Sequence, residues 1–547
     1  MTTPTISDSA RTERNRANDA SSRLPLSLAG GHNPWLIALV VSLATFMEAL
    51  DTSIANVALA HIAGNLSASL DESTWVLTSY LVSNAIVLPI SGWLATVIGR
   101  KRFYMSCVAL FTLSSLLCGL APSLTWLIVF RVLQGIGGGG LQPSEQSILA
   151  DTFPPDKLGM AFALYGVAVV VAPAAGPTLG GWITDNYSWH WVFLINVPVG
   201  CLSLLLTHLL LVTPPAEEQR RREIRQRGLR VDYIGFGLVA LGLGCLQVVL
   251  DKGQREDWFA STFIVVFTAV SAVALLALII RELSYKAPIV DLPLLQDKSF
   301  LAANLVMFAI GFMLYSTTQL LPELVQSLLG YTATTAGLVI TPGGFAVMAL
   351  MPVVGFLLSK LQPRTLIAGG LLIEAFALYH LSQLSLQVTF LDVMWARILQ
   401  ASGIAFLFVP ITTVAYVGLP PGKNNNASAL VNLMRNLGGS FGISLAQTWL
   451  ARRMQFHQAR LVSHLTPYNL QYQHTLGRLT HSLAHSSVTA VHTGRQAVGV
   501  IYTMVQQQAA IMSYLDIFYL LAWGALVMLL LVFLLRKVRP GQARMAH

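Results

Sequence analysis

The chain has 547 residues, of which 54% are hydrophobic and 11% charged, and its 34 Lys and Arg outnumber its 25 Asp and Glu to give a net charge of +9. A soluble globular domain carries roughly 25% charged residues, so this composition excludes one and points to an all-α integral membrane protein. The positive excess falls on segments between apolar stretches, where membrane orientation and an anionic inner lipid surface account for it without nucleic acid.

A spanning helix needs ~20 apolar residues. Fourteen stretches qualify, at about 35–60, 75–98, 103–121, 124–149, 159–184, 190–213, 233–250, 259–283, 300–325, 333–359, 365–386, 392–417, 427–450 and 514–536. The implied organisation is a cytoplasmic tail (1–34), a six-helix bundle (35–213), a basic cytoplasmic linker (214–232), two inserted helices (233–283), a second cytoplasmic linker (284–299), a second six-helix bundle (300–536) that includes a periplasmic loop (451–513), and a cytoplasmic tail (537–547). No cleavable signal peptide is expected ahead of the first span. Most lysines and arginines, among them Arg100, Lys101, Arg102 and the arginines between Arg220 and Arg230, fall in the tails and alternate loops, which predicts that both termini are cytoplasmic. All four cysteines lie in apolar spans, so disulfides and structural zinc are not expected.

The first span carries Glu48 and Asp51, three apart and therefore on one helix face. An ionisable group inside a span costs at least ~2.5 to 3.5 kcal/mol and demands a partner or a task. Arg131, in the fourth span, lies at a depth matching Asp51 to within a few ångströms at about 1.5 Å per residue. A pairing that opens and closes would give a carboxyl of variable proton affinity, as proton coupling requires. A permanent pair would merely hold two helices together. The Gly137–Gly140 run that follows reads as a close-packing surface, not a phosphate cradle. Without a GxxxxGK[ST] loop, no nucleotide-driven step or enzyme site is expected. Glu145, late in the fourth span, is placed where a cationic substrate or a second proton would be met, or where it faces water at the mouth.

The fifth span, GVAVVVAPAAGPTLGGW, holds Pro173, Gly176, Pro177, Gly180 and Gly181, a pattern that only close packing or hinging among membrane helices accommodates. The second half repeats the first. Pro89, Gly92 and Leu94 match Pro352, Gly355 and Leu357 at an offset of 263, and Arg131, Leu133 and Gln134 match Arg397, Leu399 and Gln400 at 266. Parallel six-helix halves place a substrate path between them. At the matching register Glu48 becomes Leu314 and Asp51 becomes Thr317, so proton handling is expected in the first half only. Glu374 and Arg397 remain as a possible substrate or second proton site, with Glu374 able to pair with Arg397 or Arg435. The 451–513 segment is basic and rich in glutamine and histidine. His481 and His485 share a helical spacing but lack a third ligand, so a solvated face or a partner-docking surface is expected there and no metal.

These stretches resemble the major facilitator superfamily, in particular its fourteen-helix drug:proton antiporter branch and the EmrB/FarB-like multidrug exporters within it. LDTSIANVAL resembles the branch's first-helix motif, which implies a functional acid at Asp51. GWLATVIGRKR resembles the superfamily loop motif through Gly92, Gly99, Arg100 and Lys101, with Thr96 where an aspartate is usual and Asp151 left as a partner for Arg100. LIVFRVLQGIG resembles the motif whose arginine, here Arg131, is linked to proton transfer. The glycines and prolines of the fifth span resemble the antiporter motif, and WVFLINVPVG and LDKGQREDWF resemble the EmrB-like group. The resemblance implies a major facilitator fold of fourteen helices (6 + 2 + 6) in a Gram-negative inner membrane. It also implies a proton gradient in place of a cofactor, amphiphilic toxic substrates, contact with membrane lipid, a periplasmic adaptor of the EmrA type and an outer-membrane channel of the TolC type. Two other readings stay open: a dedicated exporter of one metabolite class such as a fatty acid or siderophore, and a transporter-like sensor or scaffold that moves nothing.

Overall fold

The computed structural model describes residues 32–154, 157–213, 215–226, 232–285, 288–420, 422–484 and 490–537. Among these, thirteen helices are long and apolar enough to cross a membrane. In chain order the membrane helices begin with α1 (Pro34–Asn65), α2 (Trp75–Ile98), α3 (Arg100–Gly119), α4 (Leu124–Thr152), α5 (Leu158–Asn186) and α6 (His190–Leu210). They continue with α7 (Tyr233–Lys252), α8 (Thr262–Ser284), α9 (Lys298–Leu329), α10 (Ala333–Leu357), α11 (Pro363–Leu381), α12 (Phe390–Ala415), α13 (Asn424–Val462) and α14 (Ala490–Val532). Only α13 falls outside the thirteen, because Asn432, Arg435, Asn436, Ser440 and Gln447 dilute its apolar face. It is nonetheless packed between α9, α14, α2 and α4.

The two halves pack in parallel fashion. α1 lies on α5 as α9 lies on α13, and α3 on α4 as α11 on α12. They meet where α5 runs along α10 and α2 along α13, while the α7–α8 hairpin packs on the outside of α2. The basic loop residues Arg100, Lys101, Arg102, Lys423 and Arg536 gather at what we term the basic end.

Three helices, α13, α14 and α4, depart from the expected pattern. The 451–513 segment is mostly helix, because α13 continues to Val462 and α14 begins at Ala490, with a further helix at Leu470–Ala484 between them. His481 sits on that middle helix, and His485 lies outside the described residues. α4 is interrupted at Gly139–Gly140, since Pro143 has no N–H to offer the Gly139 carbonyl.

Glycines set the helix spacing around α4. A methyl group on Gly135 would lie 2.4 Å from the Tyr80 carbonyl of α2, and one on Gly137 2.6 Å from the Phe111 nitrogen of α3. The four-glycine run is thus a packing surface, and Cβ atoms there would push α4 off both neighbours.

Candidate functional site

Asp51 and Arg131 meet inside the first half, and neither side chain exposes any surface to solvent. Arg131 Nη1 donates to Asp51 Oδ2 at 2.5 Å. Gln134 Nε2 and Asn196 Nδ2 donate to the other carboxylate oxygen at 2.9 and 2.8 Å. The guanidinium is held in turn by the Val76 carbonyl at 3.0 Å, by Gln134 Oε1 at 2.8 Å and by the face of Tyr80, 4.3 Å from the ring centre. Its Nη2 has no hydrogen-bond partner. A pair removed from water in this way is stable only with such additional hydrogen bonds, and it leaves a strong charge exposed if either partner withdraws. Depth matching along α1 and α4 anticipated the pairing. Asn196 was not anticipated, although an asparagine in the otherwise apolar WVFLINVPVG stretch is the signal that marks it.

Glu48 faces a different set of partners. It accepts from Tyr80 Oη at 3.0 Å and from Gln142 Nε2 at 2.5 Å. Gln142 Oε1 then accepts from Arg435 Nη2, and Arg435 Nη1 donates to Tyr165 Oη at 2.9 Å, so a polar chain crosses from α1 through α4 and α5 to α13 of the second half. Glu145 does not face water at a mouth. It is fully buried, accepts from Ser42 Oγ at 2.5 Å, and its second oxygen has no partner.

In the second half Arg397 donates to Thr317 Oγ1 at 3.2 Å, where Asp51 stands in the first half, and to Thr318 Oγ1 at 3.1 Å. It also donates to Gln400 Oε1, and Gln400 Nε2 donates to Glu374 Oε1 at 2.7 Å. No acid stands at the matching position on α9, as expected, and Thr317 takes its place. The arginine and the glutamine three residues on recur, beside a carboxylate that is not part of the repeat and is supplied by α11. Glu374 reaches Arg397 through Gln400 and not by a direct ion pair, while Arg435 is engaged elsewhere. A carboxylate arriving from a different helix leaves no trace in a sequence repeat.

At the basic end the loop motif assembles around Gly99, whose φ of +95° turns the chain from α2 into α3. Arg100 pairs with Asp151, as expected, and also donates to the Ser147 carbonyl at 3.1 Å. Its backbone N–H donates to Glu217 Oε1 at 2.8 Å, an acid in the first turn of the linker helix Pro215–Gln226. Lys101 Nζ donates to the His208 carbonyl at 2.9 Å. The two halves are stitched together here by an asparagine run on α13 that sequence reading passed over. Asn424 Nδ2 donates to Asp151 Oδ1 at 2.7 Å, Asn425 accepts from Ser147, and its carbonyl lies 2.8 Å from where a Gly92 methyl would be. Thr96 stands 3.4 Å from Asn425 Nδ2, so the residue replacing the usual aspartate faces an uncharged partner.

In α5, Pro177 cannot donate to the Pro173 carbonyl, and Ser53 Oγ of α1 does so instead at 2.9 Å. Gly176 and Gly180 admit α1 so closely that added methyl groups would lie 2.2 Å from Ser53 Oγ and 3.3 Å from the Ile54 Cα. Gly181 faces Thr334 of α10, and Thr178 and Thr341 share a hydrogen bond of 3.0 Å across the two halves.

Residues 41–443 match the model of the Major Facilitator Superfamily. The chain belongs to that superfamily. Its major facilitator relatives include the multidrug export protein EmrB of Escherichia coli (strain K12), which is 39% identical over 499 residues, 91% of this chain and 94% of the relative. The fatty acid resistance protein FarB of Neisseria gonorrhoeae is 37% identical over 516 residues, 94% of this chain and 97% of the relative. Among solved major facilitator structures, the human organic anion transporter MFSD10 superposes with a TM-score of 0.55 at 12% identity, covering 91% of this chain and 99% of that one, which supports the fold alone. The chain is thus a multi-pass membrane transporter of the major facilitator fold and not an enzyme.

Proposed function

We propose that the chain is a proton-driven exporter of hydrophobic or amphiphilic toxic compounds, working by alternating access in a Gram-negative inner membrane with both termini in the cytoplasm. The observation that carries the reading is the Asp51–Arg131 pair: a carboxylate with no solvent exposure, held by one guanidinium and two amides inside a transport fold. Protonation of Asp51 removes its claim on Arg131 and weakens the join between α1 and α4. Deprotonation restores it, which couples the proton to helix movement. The hydrogen bonds that Asn424 donates to Asp151 and that Asn425 accepts from Ser147 support reading this form as closed at the cytoplasmic side. A lipophilic substrate is held by apolar and aromatic side chains with few polar contacts, which suits broad specificity. The similarity to the multidrug export protein EmrB, along nearly its whole length, supports multidrug efflux. An EmrA-type adaptor and a TolC-type channel as its partners belong to the same proposal.

A second reading, a dedicated exporter of one class such as long-chain fatty acids, is favoured by the comparable similarity to FarB. Substrate-induced proton release from everted vesicles separates the two. We expect release with several members of a panel of hydrophobic dyes, uncouplers and long-chain fatty acids, abolished in D51N and R131A. Release with fatty acids alone favours the dedicated exporter. Full proton-coupled efflux in D51N removes the coupling role of Asp51.

A further inference from the structure

We propose that Glu374 is a second proton-carrying group, operated by Arg397 through Gln400; the proposal rests on the proton-driven reading above. Glu374 lies mid-helix in α11 and is fully buried, and its Oε2 has no hydrogen-bond partner. That oxygen occupies space kept open by a glycine: a methyl on Gly403 of α12 would lie 2.7 Å from it. From α12 the carboxyl is faced by Gln400, which donates to it, and by Arg397, which Gln400 links to it. From α14 the groups packed beside this stretch of α11 are Tyr519, Ala522, Trp523 and Leu526, which line a lipid-side groove with Ala375.

A bare carboxylate in this position lacks a direct counter-ion, because the Arg397 guanidinium is drawn aside to Thr317 and Thr318 of α9. Burying such a charge unpaired is strongly unfavourable, and a proton on Oε2 removes the charge. The same two threonines give the arginine an alternative anchorage, so it can leave them and replace the proton as the countercharge. In that step the Oε2–H bond breaks, the proton passes to water, and the guanidinium closes on the carboxylate. The reverse movement reloads the proton. The unit differs from Asp51, where arginine and acid are already in contact, so the two sites stand at opposite phases in one structure.

Infrared pH-difference spectra of the purified full chain in lipid nanodiscs test this without any substrate. We expect a protonated-carboxyl C=O band that disappears on alkalinisation, is lost in E374Q, is shifted in E374D and persists in D51N. A band lost in E374Q while D51N still couples transport would leave this proposal standing and the Asp51 reading overturned. An E374Q difference spectrum superimposable on that of the wild type overturns the proposal. If E374Q does not fold, E374D decides: a shifted band supports the proposal, and an unchanged spectrum overturns it.

Discussion

In the first half Arg131 grips a carboxylate directly at 2.5 Å, while at the matching place in the second half Arg397 holds two threonine hydroxyls and reaches its carboxylate only through Gln400. The arginine and the glutamine are repeated, and the acid is not. One half therefore contains a closed ion pair and the other an arginine with neutral partners beside an isolated acid. In this duplicated scaffold the basic member keeps its place in both halves, while the nearest acid lies on α1 in one and on α11 in the other.

The sharpest way to break this comparison is to remove each arginine in turn. R131A leaves Asp51 buried and unpaired, which costs about 3–5 kcal/mol. R397A removes hydrogen bonds to neutral groups at about 1–3 kcal/mol, so thermal melting in detergent is expected to fall much further for R131A. Equal losses would mean that the two halves are electrostatically alike. Grafting the first-half acid sharpens the contrast: T317D is expected to fold with Arg397 present and to fail in combination with R397A, read as yield of monodisperse protein. Equal yields from the two would show that Arg397 does not reach position 317.

Packing gives the next prediction. G176A places a methyl against Ser53 and is expected to cost about 1–3 kcal/mol by overpacking. G64A, at a glycine with nothing near its Cβ position, is expected to leave melting unchanged. The smallest effect belongs to the basic end. Asp151 and Arg100 keep 33% and 13% of their side chains exposed, so D151N is expected to cost under about 1 kcal/mol. Its signature is instead a rise in thiol labelling of a cysteine placed at Asn425 as the stitched end opens more often.

The helices, the halves and the Asp51–Arg131 contact were legible in the sequence, because apolar length, repeated motifs and helix depth are all one-dimensional quantities. Charges whose partners come from unrelated positions were not. Glu374 finds Gln400 from a helix with no counterpart acid, Glu217 reaches back across the linker to Arg100, and Asn424 crosses between the halves to Asp151. The extension of α13 and α14 through 451–513 escaped for a related reason. Outside the membrane a helix needs no apolar run, only a neighbour to lie against, and α14 provides one for the Leu470–Ala484 helix.

The polarity of α13 has a consequence for how the protein is made. A segment with Asn432, Arg435 and Asn436 in its middle gains little by partitioning into lipid alone when it leaves the ribosome. Asn432 and Arg435 draw on Tyr165, Gln142 and Gln146 of helices completed far earlier in synthesis, besides Ser428 and Asn436 of α13 itself. A first half already in place therefore offers this helix polar partners that a truncated chain beginning at α9 would lack.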